Sequence, residues 1–363
     1  MEWVKLRNLA WMGSNNSQAP RILFALLDWG MGHATRTAPL IQYAIDQGWE
    51  VHIGTKGTAM AFLHSQFNDQ AIVFHDKPGP DISYSERGTW FKIAGQIPAF
   101  LKSIQEETDW TASLVREVGI THIVSDNCYG VHHQEVPSVL ISHQLKLPVP
   151  KGLDGLAQLF VEKHARHFQS IWIPDDPKFN FSGSLAHGSL PNAQFIGILS
   201  RLPSNVTPGK WKRVGMVSGP EPHRSLMESA LLNWFEQAED SSLLIAGRPG
   251  DGIIEKGKIT IHPDPSAIEL ASALLGADTL VCRSGYSSLM DIAALGKRAI
   301  LIPTPGQPEQ LYLAKHWNAT FGSATCTQVQ LERGEIPNVL GHAVRAIPNE
   351  SAYQALHELV SKS

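Results

Sequence analysis

The sequence has few cysteines, no marked excess of positive or negative charge, and no long apolar run. Cys128, Cys282 and Cys326 are far apart and odd in number, which excludes a disulfide framework and a Cys-x-x-Cys zinc pattern. The 30 basic and 34 acidic residues nearly cancel, leaving a net charge of −4. A protein that binds nucleic acid mainly by electrostatics needs a strong basic excess, so no nucleic-acid partner is expected.

The hydrophobic residues are distributed without a run near the ~20 residues that span a bilayer. The first 20 residues lack the apolar core of a secretory signal. We therefore expect a cytoplasmic protein, and the sequence leaves open a peripheral contact with the inner face of a membrane. Residues 90–102 combine aromatic and aliphatic side chains with two lysines, which is compatible with that contact, although the pattern favours a core helix.

The chain has enough residues and apolar material for two domains, with 363 residues of which 43% are hydrophobic and 18% charged. Apolar strand patterns alternate with helical stripes before and after the Pro- and Gly-containing segment 202–210. Such alternation predicts two doubly wound α/β domains, each with a parallel sheet covered on both faces. The predicted segments are an arm (1–20), a first domain (21–201), a linker (202–212), a second domain (213–345) and a terminal helix (346–363).

The first predicted strand is followed by the loop D-W-G-M-G-H-A-T-R, residues 28–36. Gly30 and Gly32 allow a tight turn and a close approach to a ligand. The third glycine of the dinucleotide fingerprint is absent, which disfavours NAD or FAD. His33 stands where ligands of such sheets bind, and a neutral imidazole there could take a proton from a hydroxyl. The alternative is a histidine that caps a helix or fills a gap.

A second loop, R-S-G-Y-S-S-L-M-D at residues 283–291, leads into a predicted helix. Free N–H groups at the start of that helix suit a phosphate, and Arg283 adds a planar cation. Ser287 and Asp291 lie one turn apart, so Asp291 could hold ribose hydroxyls. Alternatively, Ser288 and Asp291 fit the Ser-x-x-Asp pattern of a capping box.

Two further loops carry polar residues at predicted helix starts. The loop 303–310 offers groups that suit a polyhydroxylated sugar, namely Gln307, Glu309 and Gln310. The loop 217–224 offers candidates for a diphosphate cradle, namely Ser218, Gly219 and Arg224.

Other catalytic and metal patterns are missing or weak. His132-His133 and His164-x-x-His167 lack a cysteine or carboxylate at zinc spacing, so exposed loop histidines are favoured over a metal site. The sequence has no Asp-x-Asp, no Gly-x-Ser-x-Gly and no Walker pattern, which argues against a metal-bridged nucleotide-sugar site, a serine hydrolase and a P-loop enzyme.

These loops together resemble the GT-B glycosyltransferases. The resemblance rests on two Rossmann-like halves, the glycine loop ending in His33, and the run ADTLVCRSGYSSLMDIAALGKRAILIPTPGQPEQLYLA at 277–314. Within that fold, the pattern is similar to the peptidoglycan lipid-intermediate N-acetylglucosaminyltransferases and related bacterial transferases. It covers most of residues 21–320 and departs from them in a shorter first loop, in Ser-Gly-Pro-Glu-Pro-His-Arg at 218–224, and in Asp291 where they have glutamate.

The resemblance implies that the first domain binds an acceptor and the second binds the donor, across a cleft. It also implies that the terminal helix braces the first domain. The expected catalytic residues are His33, with Asp126 as the second candidate for the base. The expected donor-binding residues are Ser218, Gly219, Arg224, Arg283, Ser284, Gly285, Ser287, Asp291, Gln307, Glu309 and Gln310. The expected acceptor-side residues are Gly30, Gly32, Arg36, Asn127, His143 and Gln144.

The function expected from this resemblance is an inverting, metal-independent transfer of a sugar from a nucleoside-diphosphate sugar to a hydroxyl acceptor in cell-envelope or polysaccharide synthesis. UDP, and UDP-GlcNAc in particular, is the expected donor type; no cofactor is expected, and the oligomeric state is left open. Two alternatives remain open. One is a nucleotide-sugar hydrolase or 2-epimerase on the same fold, and the second is a non-catalytic protein that binds a nucleotide sugar.

Overall fold

The structure, a computed structural model, describes residues 19–362 apart from 29, 80–88, 148, 150–151, 189, 239, 249–251 and 340. The side chains of residues 89–97 also lie outside the described part, so most of the segment 90–102 does too. Two β-sheets divide the described chain, one built before residue 200 and the other after residue 210. Each is a mainly parallel sheet with helices between its strands, so the predicted fold class is confirmed.

The first sheet has the order β3-β2-β1-β4-β5-β6-β7, and its strands pair in parallel. Its strands are β1 (Arg21–Leu26), β2 (Glu50–Thr55), β3 (Ile72–Asp76), β4 (His122–Asp126), β5 (Ser138–Ile141), β6 (Ser170–Ile173) and β7 (Ala193–Phe195). Its helices are α1 (Met31–Asp46), α2 (Gly57–Gln66), α3 (Thr89–Val118) and α4 (Asp154–Ala165). The strand order reverses between β1 and β4, which is where such sheets bind ligands.

The second sheet has the order β10-β11-β9-β8-β12-β13, with only the β10–β11 pair antiparallel in the described part. Its strands are β8 (Trp211–Met216), β9 (Ser242–Ile245), β10 (Ile254–Lys256), β11 (Ile259–His262), β12 (Ala277–Cys282) and β13 (Ile300–Leu301). The helices are α5 (His223–Glu236), α6 (Ala267–Gly276), α7 (Tyr286–Leu295), α8 (Pro308–Phe321), α9 (Gln328–Glu332) and α10 (Glu350–Ser361). Here the order reverses between β8 and β12, so the loops at 217–222 and 283–285 flank the switch point.

Local sequence explains where several helices begin and end. Helix α6 starts at a capping box in which Ser266 and Glu269 bond reciprocally. Helices α7 and α8 stop at Gly296 and Gly322, which adopt the left-handed conformation that glycine accepts without strain. Gly30 has φ +91° directly before α1, and this turn starts that helix at Met31.

The terminal helix α10 returns to the first sheet. Its residues Ala352, Leu356 and Leu359 are buried in the same cluster as Ile22 and Leu40 of the first half. Asn349 stands at the helix start, but its amide bonds to the main chain of Ser200 instead of capping the helix. Asn349 therefore does not cap α10 with its side chain, which instead ties the start of the helix to the segment that joins the halves.

Several element boundaries differ from the sequence prediction. The apolar run at 195–199 is typical of a strand, but β7 ends at Phe195, and Ile196, Ile198 and Leu199 are buried as irregular chain. Ile196 and Leu199 pack in the cluster that α10 joins, which explains the apolar pattern. A proline inside a sequence with helical periodicity predicts a break, yet α3 continues through Pro98. Helices α2 and α9 and strand β10 were not predicted.

Candidate active site

The first cluster of polar residues lies at the carboxyl edge of the first sheet, where β1 and β4 are neighbours. Asp126 is the last residue of β4 and is fully buried. His33 lies in the first turn of α1, and its Nδ1 is 3.0 Å from Asp126 Oδ1 and 2.9 Å from Arg36 Nη2. The side chain of His33 is partly exposed, so its other nitrogen, Nε2, is left for a ligand. The structure therefore brings together the two residues predicted as candidate bases.

Asp126 is a strongly held carboxylate. Arg36 donates to it from Nε at 2.8 Å and from Nη2, and Thr37 Oγ1 donates at 2.7 Å. Burial would raise the pKa of Asp126, but Arg36 and His33 outweigh it and hold that pKa well below its usual range. Asp126 is thus ionised and already accepts several hydrogen bonds, which favours an orienting role over proton abstraction.

A second line of contacts crosses from the first half to the second. Arg36 Nη1 lies 2.8 Å from His143 Nδ1, and His143 Nε2 lies 3.0 Å from Glu309 Oε1 at the start of α8. Gln144 donates from Nε2 to the other carboxylate oxygen of Glu309. Burial would raise the pKa of Glu309, but His143, Arg36 and His33 lower it. Acceptor-side and donor-side candidates therefore contact each other directly.

Glycine permits a close approach of the two halves at α1. Ser287 Oγ donates to the main-chain oxygen of Gly32 at 2.9 Å. A Cβ at Gly32 would meet Ser287 Oγ at 3.0 Å, tighter than most real contacts. The absence of a side chain at position 32 thus lets the N-terminus of α7 approach the loop that carries His33.

Tyr286 is a central residue that the sequence analysis did not single out. Its ring stacks on that of His143, with centroids 4.0 Å apart and planes 19° apart. Its hydroxyl is buried and has no hydrogen-bond partner among the described residues. The signal was present, since Tyr286 directly follows Gly285 in the R-S-G motif. Thr37 and Ser200 were missed as well, because their partners come from distant segments.

Arg283 is fully buried at the switch point of the second sheet. Its Nη2 donates to the main-chain oxygen of His223 at 2.8 Å, and Nη1 lies 3.4 Å from that of Pro303. Its Nε is buried without a partner, and in the described part of the chain no carboxylate is paired with it. Burial lowers the pKa of Arg283 to about 10. This is a cation with spare hydrogen-bonding capacity beside two helix starts.

Gly285 is the N-cap of α7, and no side chain caps the helix or places an acid in its first turn. The N–H groups there suit an anion. Nearby, Ser284 Oγ donates to the main-chain oxygen of Gln310 at 2.8 Å. Gln310 accepts from Thr304 and donates to Gln307 Oε1 at 2.7 Å. Ser284, Gln307 and Gln310 thus form one hydrogen-bonded set that shapes the loop 303–310.

The loop after β8 presents a different charge balance. Arg224 pairs with Glu221 at 2.6 Å and with Glu228 at 2.7 Å, so two carboxylates already offset its charge. Gly219 is exposed with φ +103°, and Ser218 lies next to it on the same turn. The structure places all three at the switch point, and their contact with a diphosphate stays a prediction.

Asp291 lies on α7 and contacts the segment that joins the two halves. Its Oδ1 accepts from Ser200 Oγ at 2.6 Å, and Arg201 lies close enough to act on it electrostatically. Burial raises the pKa of Asp291 to about 6. Because the cap of α7 is Gly285 without a side-chain bond, the alternative of a Ser288–Asp291 capping box is wrong. A ribose contact of Asp291 stays a prediction.

Asn127 completes the acceptor side. It follows β4 with φ +60°, and its Oδ1 is buried without a partner in the described part of the molecule. The histidines of the weak metal pattern stack instead, with the His132 and His167 rings 4.6 Å apart and parallel within 5°. Among the described residues, no group of three or more histidine, cysteine or carboxylate side chains is placed to hold a metal ion. No described helix combines the length and apolar character needed to cross a bilayer.

Comparison with known protein families supports the resemblance. Residues 254–357 match the model of the Glycosyltransferase family 28 C-terminal domain. A UDP-N-acetylglucosamine–N-acetylmuramyl-(pentapeptide) pyrophosphoryl-undecaprenol N-acetylglucosamine transferase of Pasteurella multocida is 29% identical over 46% of this chain and 51% of its own length. The corresponding transferase of Sinorhizobium medicae is 31% identical over 27% of this chain and 28% of its own. The chain thus spans about half the length of the first relative and less of the second.

Solved structures share the architecture across nearly the whole chain. The glycosyltransferase SnogD from Streptomyces nogalater superposes with a TM-score of 0.60 at 15% identity, covering 95% of this chain and all of that one. The spinosyn rhamnosyltransferase SpnG, complexed with thymidine diphosphate, gives 0.57 at 13% identity over 87% and 90%. At such identities the likeness shows the fold. The predicted resemblance is confirmed: this chain has the GT-B fold seen in glycosyltransferases, and residues 254–357 of its second half match the glycosyltransferase family 28 C-terminal domain.

Proposed function

We propose that this protein is an inverting glycosyltransferase that moves a sugar from a nucleoside-diphosphate sugar to a hydroxyl acceptor. The observation that carries the proposal is the approach of two switch points across one interface. The His33–Asp126 pair of the first sheet faces the R-S-G loop of the second, where Ser287 Oγ contacts the oxygen of Gly32 at 2.9 Å. The similarity of 254–357 to the family 28 domain, and of the chain to N-acetylglucosamine transferases, supports UDP-GlcNAc as the donor.

His33 acts as the general base in this proposal. His33 Nδ1 lies 3.0 Å from Asp126 Oδ1 and 2.9 Å from Arg36 Nη2, which itself donates to Asp126 Oδ1. We assign the Nδ1 proton to Asp126, which leaves Nε2 to accept the acceptor's proton. The acceptor oxygen then forms a bond to the anomeric carbon while the bond from that carbon to the diphosphate oxygen breaks, and that oxygen keeps the electron pair. Attack from the face opposite the leaving group inverts the anomeric configuration.

The departing diphosphate needs positive charge near it. We assign that task to the N-terminus of α7 at Gly285 and to Arg283, whose buried Nε has no partner in the described structure. Ser218, Gly219 and Arg224 lie at the same switch point and complete the assigned cradle. With these groups the proposed step uses no metal ion, and retained turnover in excess chelator tests that point.

The sugar of the donor would lie by the start of α8. Gln307, Glu309 and Gln310 are there, and amide and carboxylate groups select hydroxyls by direction. The acceptor would enter from the first half, past Gly30, Asn127 and Gln144. A hydroxyl acceptor of the cell envelope or of a polysaccharide fits the similarity to the curated transferases.

A membrane contact of the first half is supported by exposed apolar side chains. Leu156 and Leu159 of α4 are 68% and 63% exposed, Leu153 directly before that helix is 47% exposed, and Leu101 of α3 is 45% exposed. Lys102 lies beside Leu101 and is largely exposed. Aliphatic side chains next to lysine are typical of surfaces that rest on anionic lipid. Such a contact would bring a lipid-linked acceptor to the protein at the inner face of a membrane.

The experiment that tests the proposal is a thermal-shift screen of nucleotide sugars followed by product analysis. UDP-GlcNAc or another nucleoside-diphosphate sugar should raise the melting temperature by mass action. Incubation of the protein with the stabilising donor alone then separates transfer from its rivals. Rapid stoichiometric turnover without acceptor would favour a hydrolase or 2-epimerase, and binding without turnover in any acceptor extract would favour a non-catalytic binder.

A further inference from the structure

A continuous chain of polar contacts joins the donor half to the candidate base. It runs from Glu309 Oε1 to His143 Nε2 at 3.0 Å, and from His143 Nδ1 to Arg36 Nη1 at 2.8 Å. It continues from Arg36 Nε to Asp126 Oδ2 at 2.8 Å, and from Asp126 Oδ1 to His33 Nδ1 at 3.0 Å. Arg36 Nη2 also lies 2.9 Å from the same His33 nitrogen, so Arg36 acts on His33 both directly and through Asp126. The five residues come from four separate segments of the sequence. This series of contacts passes from one half of the protein to the other once, between His143 and Glu309.

At His143 the direction of both hydrogen bonds follows from the chemistry of the partners. A guanidinium can only donate, so His143 Nδ1 must accept from Arg36 and carry no proton. The remaining nitrogen, Nε2, then bears the proton and donates to the carboxylate of Glu309. Burial lowers the pKa of His143, which agrees with this neutral form. Glu309 therefore fixes which nitrogen of His143 faces Arg36.

The middle residues of this series of contacts are held in place by burial and by ring stacking. His143 and Arg36 are almost fully buried, and Asp126 is completely so. The Tyr286 ring stacks on His143 at 4.0 Å, and the Arg36 guanidinium lies 5.8 Å from the centroid of the same ring. Movement of one member without its neighbours would break a buried hydrogen bond, which is costly in such surroundings.

We propose that Glu309 is a positioning residue for His33, acting through His143, Arg36 and Asp126 when the two halves are closed. In this arrangement the donor half, once docked, fixes the orientation of the base in the acceptor half. The inference rests on the proposed function and deepens it, since it gives Glu309 a task distinct from holding a sugar hydroxyl. Proton transfer would then be set up only when the halves are together, which limits wasteful hydrolysis of the donor.

Holding the donor sugar and positioning His33 are two roles for Glu309 that predict different experimental results. A residue that only holds the donor sugar changes donor affinity when it is replaced, and leaves the imidazole of His33 as it was. A residue that positions the base changes the environment of His33 even in the ligand-free protein. It also lowers kcat more than it raises the donor KM, because the reacting geometry is lost and the binding is kept.

The test uses the full chain labelled with ¹⁵N at histidine, with the side-chain resonances of His33 identified by their loss in His33→Ala. In Glu309→Ala we expect both ¹⁵N resonances of His33 to shift without any ligand. With UDP-GlcNAc and an acceptor extract, we expect kcat to fall by about 10²-fold with donor KM little changed. Glu309→Gln keeps an oxygen that accepts from His143 Nε2–H, and should recover most of both effects.

Two controls keep the result specific. Gln144→Ala removes the other contact of Glu309 together with a 3.4 Å approach of Gln144 Nε2 to His143 Nε2, but it keeps the four hydrogen bonds that link Glu309 to His33, so the His33 resonances should stay in place. Glu358→Gln removes an exposed carboxylate paired with Lys362, and should change neither the resonances nor turnover. Unmoved His33 resonances with unchanged kcat in Glu309→Ala would overturn the coupling, and so would a change in donor KM alone. Shifted resonances in a protein that transfers no sugar would uphold the coupling and reject the proposed function.

Discussion

His33 and Asp126 lie 3.0 Å apart although 93 residues separate them along the chain. They meet because β1 and β4 are neighbours in a parallel sheet, so the loop after one and the end of the other share an edge. Asp126 is held by Arg36 and Thr37 and holds His33 in turn. This pair, set opposite the Arg283 loop, is the centre of the proposed mechanism.

Arg283 should matter both to donor binding and to the loops that surround it. Arg283→Ala removes a buried cation, so UDP affinity should fall by roughly 1–3 kcal/mol if the side chain makes a charge-assisted bond to the nucleotide. Arg283→Lys keeps the charge and loses the planar fork, so its loss should be intermediate. Calorimetric titration with UDP measures both. The exposed Arg333 provides the control Arg333→Ala, and UDP affinity unchanged in Arg283→Ala would remove Arg283 from the site.

The buried carboxyl of Asp291 predicts a pH dependence of stability. Its pKa is about 6 in the fold against an ordinary value of 3.8, so between these values the folded protein binds more protons than the unfolded chain. The contribution of Asp291 to the free energy of unfolding therefore falls as the pH rises from about 4 to about 6. Asp291→Asn does not titrate, so its melting temperature relative to the unaltered protein should increase as pH rises from about 4 to about 6. A difference that is constant across that range would contradict the assignment.

Removal of the unpartnered hydroxyl of Tyr286 should lower turnover without lowering stability. A buried polar group without a partner costs about 1–3 kcal/mol. Tyr286→Phe keeps the stacking on His143, so it should leave the ligand-free melting temperature unchanged or raise it. Burial raises the pKa of Tyr286 well above its ordinary value, so its hydroxyl stays protonated, and we expect it to donate to a substrate oxygen when substrate is bound. Turnover should therefore fall by about tenfold.

Tyr312 is a matched control for that experiment, because its hydroxyl accepts from Ser184 N at 2.7 Å and lies 2.9 Å from Ser184 Oγ. Tyr312→Phe should lower the melting temperature, since it breaks these bonds. A fall in melting temperature for Tyr286→Phe of similar size would show that its hydroxyl has a partner in the free protein.

Part of this arrangement could be predicted from the sequence. Short apolar strands ending in Asp126 or before Arg283 indicated both carboxyl edges, since strand endings are local. The burial of Arg283 and the bond of Asp291 to Ser200 could not be predicted, because they depend on how distant segments meet. The same holds for Tyr286, whose partner His143 belongs to the other half. The buried run at 196–199 gave a false strand, because burial alone does not distinguish a strand from packed irregular chain.

The exposed leucines of α4 predict a contact with lipid. Replacing Leu156 and Leu159 together with glutamine removes two of the most exposed apolar side chains of the first half, and should reduce co-sedimentation with anionic vesicles at low salt. Ile268, 63% exposed on the second half, provides the control Ile268→Gln. No co-sedimentation of the unaltered protein, or equal loss in the control, would count against the membrane contact.

The most direct test of the account is the transfer of labelled sugar from UDP-GlcNAc to an envelope extract by the unaltered protein and by His33→Ala. Loss of a general base typically costs about 10²–10⁴ in rate, so His33→Ala should lose that much turnover while its UDP-GlcNAc affinity stays near normal. His342→Ala, at an exposed histidine of the second half, should retain full activity. Near-normal turnover of His33→Ala, with Asp126→Asn inactive, would contradict the account and move the base to Asp126.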